Sequence, residues 1–212
     1  MTRGLFITFE GGEGAGKSTQ LRRLAPRLAA LEREVVVTRE PGGSPGAEAI
    51  RDLLVKGEVE RWSPVTETLL MFAARRDHIE RVIGPALERG AIVLCDRFFD
   101  STRAYQGAGG GASPALIAAL EAEVVGDLVP DVTLILDLPV EAGLARAAAR
   151  GEGEARFEAK GAAFHQRLRD GFAAIAAAEP SRCVVIDAAA PLEVVGQAVW
   201  EAVAARLEIP VR

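Results

Sequence analysis

Nine residues constrain this chain more than any others. GGEGAGKST, from Gly11 to Thr19, satisfies the spacing G-x-x-x-x-G-K-[ST]. Glycines let a backbone curl until several N–H groups converge on one phosphate, and a helix starting there adds the positive end of its dipole. In such a loop the lysine, here Lys17, reaches the β- and γ-phosphates, and the following hydroxyl, here Ser18, is placed to ligate Mg²⁺. The motif carries this meaning only between a strand and a helix. The apolar run LFITFE (Leu5–Glu10) precedes it, and a helical pattern from about Lys17 to Arg33 follows. The stretch Gly11, Gly12, Glu13, Gly14, Ala15, Gly16, Lys17, Ser18, Thr19 is therefore expected to hold a nucleoside triphosphate, with Lys17 on a solvated turn that supports no core. Glu13 would repel that ligand unless aimed elsewhere. Neither Glu13 nor Ala15 is basic, so any second positive charge has to come from another segment.

The rest of the chain alternates short apolar runs with longer helical patterns. VVVTRE (Val35–Glu40), AIVLCD (Ala91–Asp96), VTLILDL (Val132–Leu138) and CVVID (Cys183–Asp187) are rich in β-branched residues and almost continuously hydrophobic. Such runs suit parallel strands covered on both faces. Helical patterns cover Ala47–Val55, Val65–Arg89, Pro114–Val125, Val140–Arg150, Phe157–Ala178 and Leu192–Leu207. The alternation predicts right-handed βαβ units and one five-stranded parallel sheet between helices, a three-layer α/β/α fold. No repeat or linker divides residues 1–212, so a single domain is expected. Gly107–Ser113 (GAGGGAS) and a segment at about 150–163 read as mobile.

Composition narrows the partners. With 25 Lys and Arg against 30 Asp and Glu, the net charge is −5, a poor basis for binding nucleic acid. No apolar stretch approaches the ~18 residues of a membrane span. Cys95 and Cys183 sit in apolar runs, which suits buried thiols in the cytoplasm. Among the remaining residues, Asp96 and Arg97 end a strand, where doubly wound sheets gather ligands. Alone, such a pair is usually a surface ion pair; beside a phosphate loop it suits Mg²⁺ held through water, with bidentate phosphate binding by Arg97. Phe72 and Arg76 share a helix face, as a stack and a donor for a planar base with a carbonyl would require, although taken alone Phe72 reads first as ordinary core. Arg39 and Arg51 could reach an acceptor phosphate or remain solvated. DSTRAYQG (Asp100–Gly107) offers hydroxyl, phenol and amide groups. GEGEARFE (Gly151–Glu158), near Arg146 and Arg150 and containing Arg156, has the make-up of a closing lid. His78 and His165 show no metal spacing, and no guanine-reading N-K-x-D segment occurs.

In this order, GGEGAGKST, TREPGG, LLMFAARR, Asp96 with Arg97, and STRAYQG closely resemble bacterial thymidylate kinases, over essentially Leu5 to Trp200. The resemblance implies phosphorylation of thymidine monophosphate (dTMP) by ATP and Mg²⁺, a homodimer, and specific residue roles. Lys17, Ser18 and the loop glycines would hold the donor phosphates and metal, with Asp96 at the metal and Arg146 against adenine. Glu13 would face the acceptor's sugar and phosphate, and Arg39, Arg51 and Arg97 would hold that phosphate. Phe72 would stack on thymine, Arg76 would bond a base carbonyl, and Ser101, Thr102, Tyr105 and Gln106 would complete the base and sugar contacts. Arg156 would be the lid arginine approaching the transferring phosphoryl group. The family usually has Asp before that arginine, where this chain has Ala155, and often Tyr or His where it has Phe98.

Overall fold

The computed structural model describes residues 3–150 and 155–207. Five strands, β1 (Leu5–Glu10), β2 (Val35–Arg39), β3 (Ile92–Asp96), β4 (Val132–Asp137) and β5 (Cys183–Asp187), form one sheet in the order β2-β3-β1-β4-β5. All four pairings are parallel. The central strands are buried almost throughout, whereas the edge strands β2 and β5 expose Val37 and Val185, as continuous and alternating runs respectively should.

Successive side chains point to opposite faces of the sheet, and two cores result. Ile7, Phe9, Ile92 and Leu94 pack with Leu21, Leu24 and Leu28 of α1 (Lys17–Ala29) and with Val199, Trp200 and Val203 of α10 (Leu192–Leu207). Phe6, Val93 and Cys95 pack on the other side with Phe72 and with Ile117. These two belong to α3 (Pro64–His78) and α6 (Pro114–Val124). A third cluster joins Tyr105, Ile135 and Phe157 to Phe164, Leu168 and Phe172 of α9 (Ala162–Ala178). Both cysteines are free and buried.

Several boundaries differ from the sequence pattern. The stretch expected as one helix from Val65 to Arg89 is α3, a π turn over Ile79–Ile83, and the short α4 (Gly84–Glu88). Pro85 has no N–H to give the helix ladder, and the widened turn lies just before it. Helix α2 (Pro45–Val55) begins two residues early because proline suits a first helical position. Gly161 caps α9, so the patterned Phe157–Ala178 divides into α8 (Ala155–Glu158) and α9. Residues 99–109 are helical: α5 (Phe99–Thr102) runs into a π-helical stretch, Arg103–Gly109. Gly109 there lets the chain approach Phe164, whose ring would stand 2.6 Å from an added Cβ. Arg167 binds the Gly109 carbonyl at 3.0 Å and Ala112 N–H binds that of Gln106 at 2.8 Å, so the start of the glycine run is pinned. Helix α7 spans Val140–Arg150.

Candidate active site

The carboxyl ends of β1 and β3 are adjacent, with Phe9 opposite Asp96. The two most informative motifs therefore meet at one edge of the sheet. In the loop after β1, Gly11 has φ +128° and Gly14 has φ +68°. A Cβ on Gly14 would lie 2.1 Å from the Gly143 carbonyl of α7. Helix α1 has no side-chain cap and no acid in its first turn, which leaves its N–H groups and dipole for an anion. Lys17 differs from expectation: it is buried, and its Nζ donates to the carbonyls of Gly11 (3.1 Å) and Gly12 (2.8 Å). Burial, with Arg97 adding to it, pulls the Lys17 ammonium down to about 8 against the opposing pull of Glu13 and Asp96.

Ser18 Oγ donates to Asp96 Oδ2. A hydroxyl and a carboxylate are the hard oxygen donors Mg²⁺ prefers, and that ion usually keeps several waters and takes phosphate oxygens as further ligands. Among the described residues, no group of three or more His, Cys, Asp or Glu is arranged to hold a metal ion. The pair fits the ion. Beneath it, buried Glu10 accepts from Phe98 N–H (2.8 Å) and Ser101 Oγ (2.6 Å). Burial, aided by Asp100, pushes the Glu10 carboxyl up to about 8.

Arg97 has a left-handed backbone, φ +72°, a conformation that costs energy outside glycine and concentrates at functional sites. The turn aims its guanidinium back across β1. Nη1 donates to the Gly11 carbonyl (3.1 Å) and to Ser101 Oγ (3.3 Å), and Nη2 to Glu13 Oε1 (3.0 Å). Tyr105 OH donates to the same carboxylate oxygen at 2.6 Å. Burial opposes ionisation of Glu13, but Arg97, Lys17 and the Tyr105 hydroxyl outweigh it and hold the carboxyl at about 2. Glu13 is thus turned to the Arg97 side of the loop and fixed as an anion.

Next to this group is a cavity walled by Met71, Arg75, Ser101, Thr102, Tyr105 and Gln106, with Arg97 and Phe157 at its margins. Arg75 is buried and fixed. Nε binds Glu40 Oε2 at 2.8 Å, and both terminal nitrogens bind Thr102 Oγ1 at 3.2 Å. Glu40, equally buried, also pairs with His78 Nδ1 at 3.0 Å, and His78 Nε2 meets Thr38 Oγ1 at 2.6 Å. Asp100 lies below, bound by both terminal nitrogens of Arg182 (2.6 and 2.9 Å), and anchors α5 rather than facing a ligand.

Three expectations require correction. Phe72 is in the core, 1% exposed, under the Arg75 guanidinium, and does not line the cavity. Arg76 is half exposed and pairs with Glu80 one turn on. The pair that lines the cavity is Met71 with Arg75, one position earlier and so rotated by about 100° on the helix. Arg156 is also buried, away from the phosphate loop. It donates to the carbonyls of Glu58 and Leu54, both at 3.0 Å, and pairs with Glu67 at 2.5 Å. A cation surrounded by carbonyls and a carboxylate is held there, not poised on a mobile strap. Residues 151–154 of the expected lid lie outside the described residues.

Arg39 forks onto Glu48 at 3.0 and 3.1 Å, and Arg51 donates to the Pro41 carbonyl at 2.6 Å. Both flank the loop that supplies Glu40. Arg146 is exposed on α7 and donates to the Ala188 carbonyl beyond β5. Sequence reasoning missed Arg75, Met71, Glu40 and Glu67. The available signal was the adjacency of Arg75 and Arg76, since only one of two consecutive helical residues can face a given cleft.

The thymidylate kinase family model matches residues 9–199. The chain belongs to the thymidylate kinase family. A thymidylate kinase of Caulobacter vibrioides is 70% identical, over 98% of this chain and 99% of that one. One from Nitrobacter winogradskyi is 59% identical, over 94% and 88%. The solved thymidylate kinase from Ehrlichia chaffeensis superposes with a TM-score of 0.77 at 37% identity, covering 95% of this chain and 98% of its own. The five-stranded parallel sheet with helices on both sides is this family's phosphate-loop fold, and the chain is a phosphotransferase of the nucleoside monophosphate kinase type.

Proposed function

We propose that this chain transfers the γ-phosphoryl group of ATP to dTMP, giving ADP and dTDP. The observation that carries the reading is the meeting of Glu13, Arg97 and Tyr105 between the phosphate loop and the Arg75–Gln106 cavity. Donor phosphate binding and base recognition are thereby joined through one anion and one cation. The acceptor phosphate is already a nucleophile: its oxygen forms the new bond to phosphorus as the bond to the ADP oxygen breaks. No general base is needed, which agrees with a Glu13 held ionised. Positioning and charge neutralisation supply the rate. Lys17 and the N-terminus of α1 serve the donor phosphates. Arg97 supplies the second cation that the loop lacks, and Arg39 and Arg51 hold the acceptor phosphate. Mg²⁺, held by Ser18 and Asp96, would neutralise charge on the donor phosphates. Met71 offers the base an apolar wall, Arg75 donates to a base carbonyl, and Ser101, Thr102, Tyr105 and Gln106 complete the nucleoside contacts. Exposed Arg146 flanks the adenine.

The reading includes a single kinase domain with a lid segment at about 150–163, acting as a homodimer in the cytoplasm. The net charge of −5 disfavours nucleic acid as a partner, and no helix among the described residues is long and apolar enough to cross a membrane. A coupled assay with a panel of nucleoside monophosphates tests it. The largest kcat/KM should belong to dTMP; a larger value for any purine or cytosine nucleotide refutes the assignment.

A further inference from the structure

Glu67 stands on α3 one turn before Met71 and two before Arg75. The residue is 3% exposed. Oε1 accepts from Gln106 Nε2 at 2.8 Å and lies 4.0 Å from Lys160 Nζ, while Oε2 is 2.5 Å from Arg156 Nη1. A carboxylate paired with an arginine on one oxygen presents the other as a hydrogen-bond acceptor. The end of the Gln106 amide that faces it must therefore be the NH₂, because the opposite orientation would set oxygen against oxygen. The Gln106 oxygen is left as the end available to the cavity that Gln106 shares with Arg75. Arg75 offers only donors.

We propose that Glu67 is a positioning residue that fixes the amide orientation of Gln106 and so sets the base specificity of the cavity. An acceptor from Gln106 beside donors from Arg75 complements a ring N–H next to a carbonyl, the edge of thymine and uracil. It opposes a bare ring nitrogen next to an amino group, the edge of cytosine. The inference rests on the reading of the cavity as the acceptor-base site. Arg156 is the buried counter-charge of Glu67, and removing one partner of a buried ion pair is strongly destabilising.

The test is the ratio of kcat/KM for dTMP to that for dCMP. In Glu67→Gln the side chain at position 67 can present either an oxygen or an NH₂ to Gln106, so either amide orientation becomes acceptable. The ratio should fall at least about tenfold, the equivalent of leaving one buried polar group unpaired, mainly through a raised KM for dTMP. Because Glu67→Gln strands the Arg156 charge and could unfold the chain, the double variant Glu67→Gln with Arg156→Met, which removes both charges, should show the same fall. In a Gln106→Ala background, Glu67→Gln should change the ratio no further. An unchanged ratio in the folded double variant, or an equal effect of Glu67→Gln with and without Gln106, overturns the proposal. A wild-type enzyme with no preference for dTMP over dCMP would instead refute the base-site reading on which the proposal stands.

Discussion

Exchanging Arg75 for lysine isolates the geometry of the base site from its charge. Lysine can still place an ammonium beside Glu40, so the buried carboxylate keeps a counter-ion. It cannot reproduce a planar fork that reaches Glu40 with one nitrogen and Thr102 with two others. Hydrogen bonds from charged groups contribute roughly 1.5–3 kcal/mol each. Losing the one directed at the base should lower kcat/KM for dTMP by about 10- to 100-fold, since each 1.36 kcal/mol is a factor of ten. KM for ATP should hardly move, because Arg75 has no contact with the phosphate loop among its bonds. The Thr102 hydroxyl loses its two donors, and the melting temperature should drop by several degrees. Arg76→Ala is the matched control. Its salt bridge is 53% and 54% exposed on its two partners, so its loss should cost no more than ~0.5 kcal/mol. Steady-state kinetics with dTMP varied at saturating ATP, paired with thermal melts, reads both variants. If Arg76→Ala raised the KM for dTMP tenfold while Arg75→Lys behaved as wild type, the placement of Arg75 in the base site would be wrong.

Phe72→Ala should destabilise the fold by about 3–5 kcal/mol, as removal of a buried ring does, while the KM for dTMP changes little; normal melting with weakened dTMP binding would restore the stacking role. Arg97→Gln should lower kcat by roughly 10²–10³, somewhat below the range for arginine fingers. Arg156→Met should leave kcat within a few-fold but cost about 3–5 kcal/mol of stability by breaking a buried ion pair; the reverse pattern in rapid-quench and melting experiments would return the lid role to Arg156. The Glu10 carboxyl, at about 8 in the fold against an ordinary 4.5, binds a proton that the unfolded chain gives up. Its stabilising contribution is present below pH 4.5 and is lost as the pH rises toward 8. The melting temperature of wild type should therefore fall relative to Glu10→Gln across that window, and parallel curves would disprove the shift.

Much of this was legible because it is local. The phosphate loop specifies its own backbone through Gly11 and Gly14. The strands declare themselves by β-branched runs, and Asp96 with Arg97 follows from strand ends meeting at one edge. What was not legible depends on partners far apart in sequence. The i, i+4 rule identifies both 71 with 75 and 72 with 76 as faces of α3 but cannot say which face turns inward. Glu40, thirty-five positions before Arg75, decides that by demanding a buried counter-ion. Arg156 reads as a lid residue because its glycine- and charge-rich surroundings look solvated, and only Glu67 and the carbonyls of Leu54 and Glu58 show otherwise. Lys17 reads as solvated for a related reason: the loop carbonyls that enclose it belong to its own motif and carry no signal of burial.

Transfer goes to a nucleotide rather than to water, and the phosphorus balance measures that difference. Following ATP by ³¹P NMR with enzyme and Mg²⁺ should show no appreciable loss of the γ-phosphate signal until dTMP is added. One ADP and one dTDP should then appear for each ATP consumed, without inorganic phosphate. Release of inorganic phosphate at a rate indifferent to dTMP would mark the chain as an ATPase and contradict the account.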